Sequence, residues 1–240
     1  MAWLADTSYE TCSLSDCLDS QSLPAKSVVI TFDDGYRALA KHALPILQRF
    51  GFRATVFPVA GYVGQQNRWD VNLFWRRMWH LDWHELRELS AAGWEIGSHS
   101  FRHDYLPALN TKKLETDLRA SREMLEDHLQ LAIHHLSLPF GRGNRRVFAT
   151  ALNCGYRTVA TLGQYAPSSG NSWAGVDQRG LQQRLHVFPR RGIYLHDTLR
   201  SFRRRVESAP DSPSERRRQQ AISFFSQGTV LVKSLGRIFP

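Results

Sequence analysis

The sequence predicts an α/β fold built on a parallel sheet, either open or closed as a barrel. Three observations predict it. Strand-like and helix-like segments alternate at least four times along the 240 residues, the pattern of β-α-β units with parallel strands. The first strand, Val28-Val29-Ile30, is a β-branched run of the kind that is buried in a sheet. Finally, Asp33 and Asp34, His99 and His103, and Phe140 each follow a predicted strand. A parallel sheet would bring them to one face, at the strand ends where such folds carry their chemistry.

The elements are justified in chain order. Residues 3–19 read as helix and then loop, and a polar lead through Ser22, Pro24 and Lys26 enters a strand at 28–32. From Arg37, the residues Leu39, Ala43, Ile46, Leu47 and Phe50 recur at helical spacing, with Gly51 as a stop. Phe52–Val59 is the next strand, and residues 61–81 are irregular and rich in tryptophan. Asp82 followed by Glu85 has the form of a capping box, opening a helix that stops near Gly93. Trp94–Gly97 is a short strand, and Thr111–Leu129 is a helix with Leu114, Leu118, Leu125 and Leu129 on one face. A strand-like piece ends at Leu138-Pro139-Phe140-Gly141, a helix covers 145–153, and a strand covers 156–161. Residues 162–180 read as a Gly/Ser-rich loop, and 203–220 as a solvated or disordered Arg-rich stretch.

Composition narrows the class. An apolar content of 42% suits a globular domain. No apolar run approaches the ~20 residues of a membrane span, and no basic segment followed by an apolar one marks a secretory signal. The sequence assigns no compartment; only the missing signal leans towards the cytoplasm. Met1–Ala5 reads as the inside of a helix, so the expectation is an N-terminus truncated relative to the full protein. Three cysteines, Cys12, Cys17 and Cys154, without a Cys-x-x-Cys pair, argue for free thiols rather than a disulfide framework or zinc ribbon. The net charge of +9 is local: residues 179–240 hold 13 Lys+Arg against 4 Asp+Glu, whereas residues 1–178 hold 18 of each. Arg203–Arg205 and Arg216–Arg218 lack interleaved aromatics, which disfavours nucleic acid as a partner. Electrostatic contact of the tail with anionic surfaces is the sharper reading, and a solvated tail the plainer one.

Two adjacent carboxylates at a strand end repel one another and are costly to bury. A helix cap would need only one of them. A metal ion would offset the cost of both. His99 and His103, four apart, can aim both imidazoles at one ion, and Asp34 would complete a His-His-Asp set with open positions. Ser100 stands where a helical metalloprotease would need Glu. Asp33 is then left beside the ion as a base for water attacking an amide or ester carbonyl. Two imidazoles and one carboxylate accept several divalent ions, zinc, cobalt, manganese and nickel among them.

Thr31-Phe32-Asp33-Asp34-Gly35 and His99-Ser100-Phe101-Arg102-His103 resemble the first two motifs of the NodB-type polysaccharide deacetylases, the fourth carbohydrate esterase family. Leu138-Pro139-Phe140-Gly141 resembles the third. The resemblance implies a distorted (β/α) barrel over residues 1–202, followed by an Arg-rich tail at 203–240. It also implies removal of acetyl groups from an acetylated glycan. By position, Asp33 would be the base, and Asp34, His99 and His103 the metal ligands. The Phe140 N–H would stabilise the oxyanion. His196 in Tyr194-Leu195-His196-Asp197 is the nearest match to the acid of the last motif, with His186 as a substitute.

The family's third motif usually begins with an arginine that orients the base. Ser137 stands there instead, as in members resembling exopolysaccharide deacetylases. The fourth motif has no clear counterpart near Thr161–Asp177. These gaps motivate an alternative, a non-catalytic glycan-binding module on a degenerate deacetylase fold. Trp69 and Tyr36 are the expected substrate-binding aromatics. Trp75, Trp79 and Trp83 are spaced like one helix face, and core packing is the preferred reading for two of the three.

Overall fold

The computed structural model describes residues 1–19, 23–67, 78–162, 172–176, 182–194 and 197–207. The chain opens with α1 (Ala2–Asp6), β1 (Glu10–Thr11), α2 (Leu14–Asp19), β2 (Ser27–Val28) and β3 (Thr31–Asp34). The strand expected at 28–32 is thus two strands with different partners: β2 pairs with β1, and β3 with β4 (Thr55–Pro58). Between them α3 (Leu44–Gln48) follows a π-helical turn at Leu39–Ala43, where a single α-helix was expected. Pro45 accounts for the change. It has no N–H to give and its ring crowds the preceding turn, so the ladder widens until the Leu44 N–H reaches the Leu39 carbonyl.

Helix α4 (Trp83–Ala91) begins on the predicted capping box: the Asp82 side chain accepts from the Glu85 N–H, and the Glu85 carboxylate accepts from the Asp82 N–H. Strand β5 (Glu95–Ile96) follows. Helix α5 (Thr111–Leu129) starts on Asn110 and buries Leu114, Leu118, Leu125 and Leu129, as its leucine stripe required. Then come β6 (His135–Ser137), α6 (Arg145–Asn153) on an Asn144 cap, β7 (Thr158–Leu162), β8 (Ser172–Val176) and β9 (Gln182–Arg190). Strand β8 lies inside the segment expected to be loop. Helix α7 (Leu199–Glu207) takes in residues 203–207, expected as solvated tail, because Arg205 is buried against Asp197 and the Gly192 carbonyl. The rest of the tail lies outside the described residues.

Strands β3, β4 and β5 form one parallel sheet, and β6, β7 and β9 the parallel part of another, with β8 antiparallel on β9. A parallel bridge between Ser98 and Leu136 joins the two sheets. The order β3-β4-β5-β6-β7-β9 therefore runs continuously, with helices α3, α4, α5 and α6 in the crossovers from β3 to β7. Strand β4 is buried throughout. The core gathers Val56, Ile96, Leu136 and Val159 from the strands and the leucines of α4 and α5. All parallel strands end on the same side, and the acids and histidines lie there. Among the described residues, no helix is long and apolar enough to cross a membrane.

Candidate active site

Strand β3 delivers Asp33 and Asp34 to its end and then turns sharply. Asp34 has φ 67 and Gly35 φ 65, both in the left-handed region. A side chain at residue 35 would put a Cβ 2.9 Å from Pro58 Cα, so only glycine fits beside β4. His80 supports the turn from the irregular segment: its Nδ1–H donates to the Asp34 carbonyl at 2.8 Å, and the Leu81 N–H donates to the Gly35 carbonyl at 2.8 Å.

His99 and His103 follow β5 and are buried. Each Nε2 lies 3.5 Å from Asp34 Oδ1. That is too long for a hydrogen bond but close to the ~3.4 Å between two atoms that each sit ~2.1 Å from one tetrahedral ion. The His99 Nδ1–H donates to the Ser137 carbonyl at 2.9 Å, so its Nε2 is the nitrogen with the lone pair to give. The three residues form a group that could hold a metal ion. Their chemistry, two imidazoles and one carboxylate, fits a divalent metal with open positions.

Asp33 is held differently. Arg190, the last residue of β9, places Nη1 2.8 Å from Oδ1 and Nη2 2.8 Å from Oδ2. The Ser137 hydroxyl donates to Oδ1 at 2.9 Å, and Arg190 also reaches Ser137 and Thr31. Burial pushes the Asp33 carboxyl up, but the Arg190 guanidinium and its neighbours outweigh it and hold the group at about 2. The guanidinium thus favours the ionised form of Asp33.

Phe140, just after β6, has φ 61, a left-handed conformation rare for an aromatic residue. Its ring lies 5.0 Å from that of His103, so the turn carrying its backbone borders the histidine pair. Tyr36 stacks on His80 at 4.9 Å, and its hydroxyl accepts from the Asn67 side chain at 2.8 Å.

The structure thus brings Asp33, Asp34, His99, His103 and Phe140 together, with Tyr36 one turn away. His196 and Trp69 lie outside the described residues, as does Trp75. The substitute His186 lies on β9 four residues before Arg190, roughly 13 Å back along the strand from the site. Trp83 packs in α4 and stacks on His128, whereas Trp79 is exposed in an extended bridge before the Asp82 cap, so the two do not share a helix face. Sequence reasoning missed Arg190 and the part played by Ser137. The signal for Arg190 was its place: a cation closing an apolar strand, as the two acids close theirs.

A sequence model of the family described as polysaccharide deacetylase matches residues 20–159. A Bacillus subtilis (strain 168) protein, YxkH, whose name places it with the polysaccharide deacetylases, is 27% identical over 165 residues, 67% of this chain and 55% of that protein. The poly-beta-1,6-N-acetyl-D-glucosamine N-deacetylase of Escherichia coli (strain K12) is 29% identical over 136 residues, 53% of this chain and 20% of that protein. The chain thus spans only part of the length of these relatives. Among solved structures, a de-N-acetylase from Aggregatibacter actinomycetemcomitans superposes with a TM-score of 0.66 at 19% identity, covering 84% of this chain and 85% of that one. The Streptococcus pyogenes deacetylase PplD, solved with acetate, gives 0.65 at 21% identity, covering 85% and 83%. At these identities the likeness is one of fold.

Proposed function

The chain belongs to the polysaccharide deacetylase family, and from that premise we propose that it hydrolyses the acetamide of an N-acetylated polysaccharide or oligosaccharide. The observation that carries this reading is the pairing of two carboxylates with opposite duties on one strand end. Asp34 faces two imidazoles at ligand spacing, while Asp33 is tied to a guanidinium.

Asp34, His99 and His103 would hold a divalent metal, zinc first, which when bound supplies Lewis-acid activation of water and of the scissile carbonyl. Asp33 takes the proton from the attacking water. Both lone pairs of its Oδ1 are engaged, by Arg190 and Ser137, whereas among the described residues Oδ2 accepts from Arg190 alone. Oδ2 is therefore the base atom. The Phe140 N–H steadies the developing oxyanion, and the strained turn that presents it is the kind of cost found at functional sites. His196 would return a proton to the leaving amine. Residues on either side are fixed: the Tyr194 N–H donates to Asp197, which is paired with Arg205. Tyr36 and Trp69 would line the sugar path. The same reading takes the sheet as the wall of a distorted (β/α) barrel, supported by Arg190 on its last parallel strand reaching Asp33 on its first. The missing third-motif arginine is one of the grounds for a non-catalytic module, and Arg190 supplies a guanidinium to the same carboxylate.

The relatives' names make a β-1,6-linked N-acetylglucosamine oligomer the first substrate to try. The test is acetate release after chelation and add-back of zinc or cobalt. Wild type should release acetate only with metal. Asp33→Asn should bind metal and release none, and His99→Ala should fail to retain metal. Full metal occupancy in His99→Ala, or undiminished turnover in Asp33→Asn, would overturn the assignment.

A further inference from the structure

The loop from His99 to His103 is held in an unfavourable shape. Ser100 has φ 66 and His103 φ 56, two left-handed residues, neither of them glycine, within one turn. Such conformations persist only where the surroundings over-determine them. Here the surroundings are helix α5. Its apolar stripe is interrupted by two buried polar residues, Asp117 and Ser121, one helical turn apart. Asp117 is 7% exposed. Its Oδ1 accepts from the Phe101 N–H at 3.0 Å and its Oδ2 from the Arg102 N–H at 3.2 Å, consecutive amides between the two histidines. Ser121 meets the Ser98 hydroxyl, which in turn accepts from the Ser100 N–H, and the Ser100 hydroxyl accepts from the His103 N–H.

We infer that Asp117 is a positioning residue for the metal centre: its carboxylate clamps the amides of Phe101 and Arg102 and so holds the turn that aims His99 and His103 at Asp34. The inference rests on the metal-dependent reading above. It touches neither metal nor substrate and acts only through the loop. The energetics support a positioning role over a stabilising one. Burial pushes the Asp117 carboxyl up to about 6, against the two amides, with Asp104 adding to the rise. A folded-state value above the unfolded one means that the charged form weakens the fold at neutral pH. An isosteric neutral amide would avoid that penalty, but it has only one acceptor oxygen and would turn an NH2 towards the second N–H.

The experiment is zinc binding by calorimetry against a chelator, with the thermal midpoint of the metal-free protein alongside, for wild type and Asp117→Asn. Zinc affinity should fall about tenfold or more, the range for residues that orient ligands, in protein that the midpoint shows to be still folded at the assay temperature. Equal zinc affinity in the two proteins would overturn the inference. A second readout needs no variant: in metal-free wild type the amides of Phe101 and Arg102 should exchange slowly by NMR. Exchange at the rate of open chain would overturn the clamp, and this readout decides the matter should Asp117→Asn not fold. Absence of zinc binding by wild type would instead overturn the metal-centre reading, with the amide exchange still judging the clamp.

Discussion

Arg190 on the last parallel strand grips both oxygens of Asp33 on the first, at 2.8 Å each. Neighbouring in space but 157 residues apart in sequence, they set the character of the candidate base. A bidentate guanidinium keeps the carboxylate ionised and fixes the direction of its remaining lone pair. The same pairing lowers its proton affinity, so the base is well oriented rather than strongly basic. The Ser137 hydroxyl completes the arrangement where the family resemblance led to an arginine.

Replacing Arg190 with Gln should therefore do more than slow the reaction. Burial, the largest influence on Asp33, would then be opposed only by His99 and Ser137, and its pKa would rise. The acid limb of the kcat/KM profile, set by other groups while Asp33 is held near 2, should move up as Asp33 comes to titrate within the working range. Turnover should fall roughly a hundredfold, the lower end of what general-base catalysis supplies. Zinc binding should persist, since Arg190 contacts no ligand among the described residues. A slower enzyme with an unmoved acid limb would count against Arg190 as the group that sets Asp33.

Local chemistry was legible wherever it is written in contiguous residues. The capping box at Asp82, the leucine stripe of α5 and the span of α6 at 145–153 each follow from a few neighbouring side chains, and the structure bears them out. The ligand set could be read because Asp33-Asp34-Gly35 and His99 to His103 are each compact and each follow a strand. Arg190 was hidden because its meaning lies in strand order: only when β9 has paired with β7 does its last residue face β3. Asp117 did leave a trace, a charge on an otherwise apolar helix face. What it clamps is a loop 15 and 16 residues back, and no local rule connects the two. The split at Val29–Ile30 was invisible for a similar reason, since β1 and β4 compete for neighbouring pieces of one apolar run.

The α4 cap gives a calibrated stability test. Asp82 caps the helix and also accepts from Arg37 at 2.9 Å, on the segment just after the candidate ligand Asp34. Asp82→Ala should cost about 1 kcal/mol through the lost cap, because the Arg37 pair is solvent-exposed and adds little. In a chain of this size that is a fall of about 2–4 °C in Tm by calorimetry. A change under 1 °C would mean that α4 is held by packing alone.

Gly141 tests the turn that carries Phe140. It has φ 67, and a Cβ there would lie 2.3 Å from Leu162 Cβ and 2.7 Å from the Leu162 backbone nitrogen. Gly141→Ala must therefore shift the turn or β7. It should destabilise the protein by about 1–3 kcal/mol, and it should lower kcat with zinc affinity retained, because the Phe140 amide moves and the histidines do not. Unchanged kcat would argue against the Phe140 N–H as oxyanion donor.

The opposite end of the sheet makes a prediction about acid stability. Glu95, at the start of β5, accepts from the Leu14 and Ser15 N–H groups, from the Thr55 hydroxyl and from His135 Nε2 at 3.0 Å. One carboxylate thus ties α2, β4, β5 and β6 together far from the candidate chemistry. Burial raises its pKa, but these donors, His135 foremost, prevail and hold it at about 2. A folded-state value below the unfolded one gives stability that is present above the unfolded pKa of about 4.3 and is lost as pH falls towards 2. Thermal midpoints of wild type should therefore drop steeply across that window. Glu95→Gln keeps the shape but not the charge, so it should melt lower at pH 7 and show a flatter decline between pH 5 and 2. Its loss at neutral pH should be on the order of 2 kcal/mol, as losing hydrogen bonds to a charged group costs. Parallel declines for the two proteins would show that other carboxylates, Asp33 among them, govern acid unfolding.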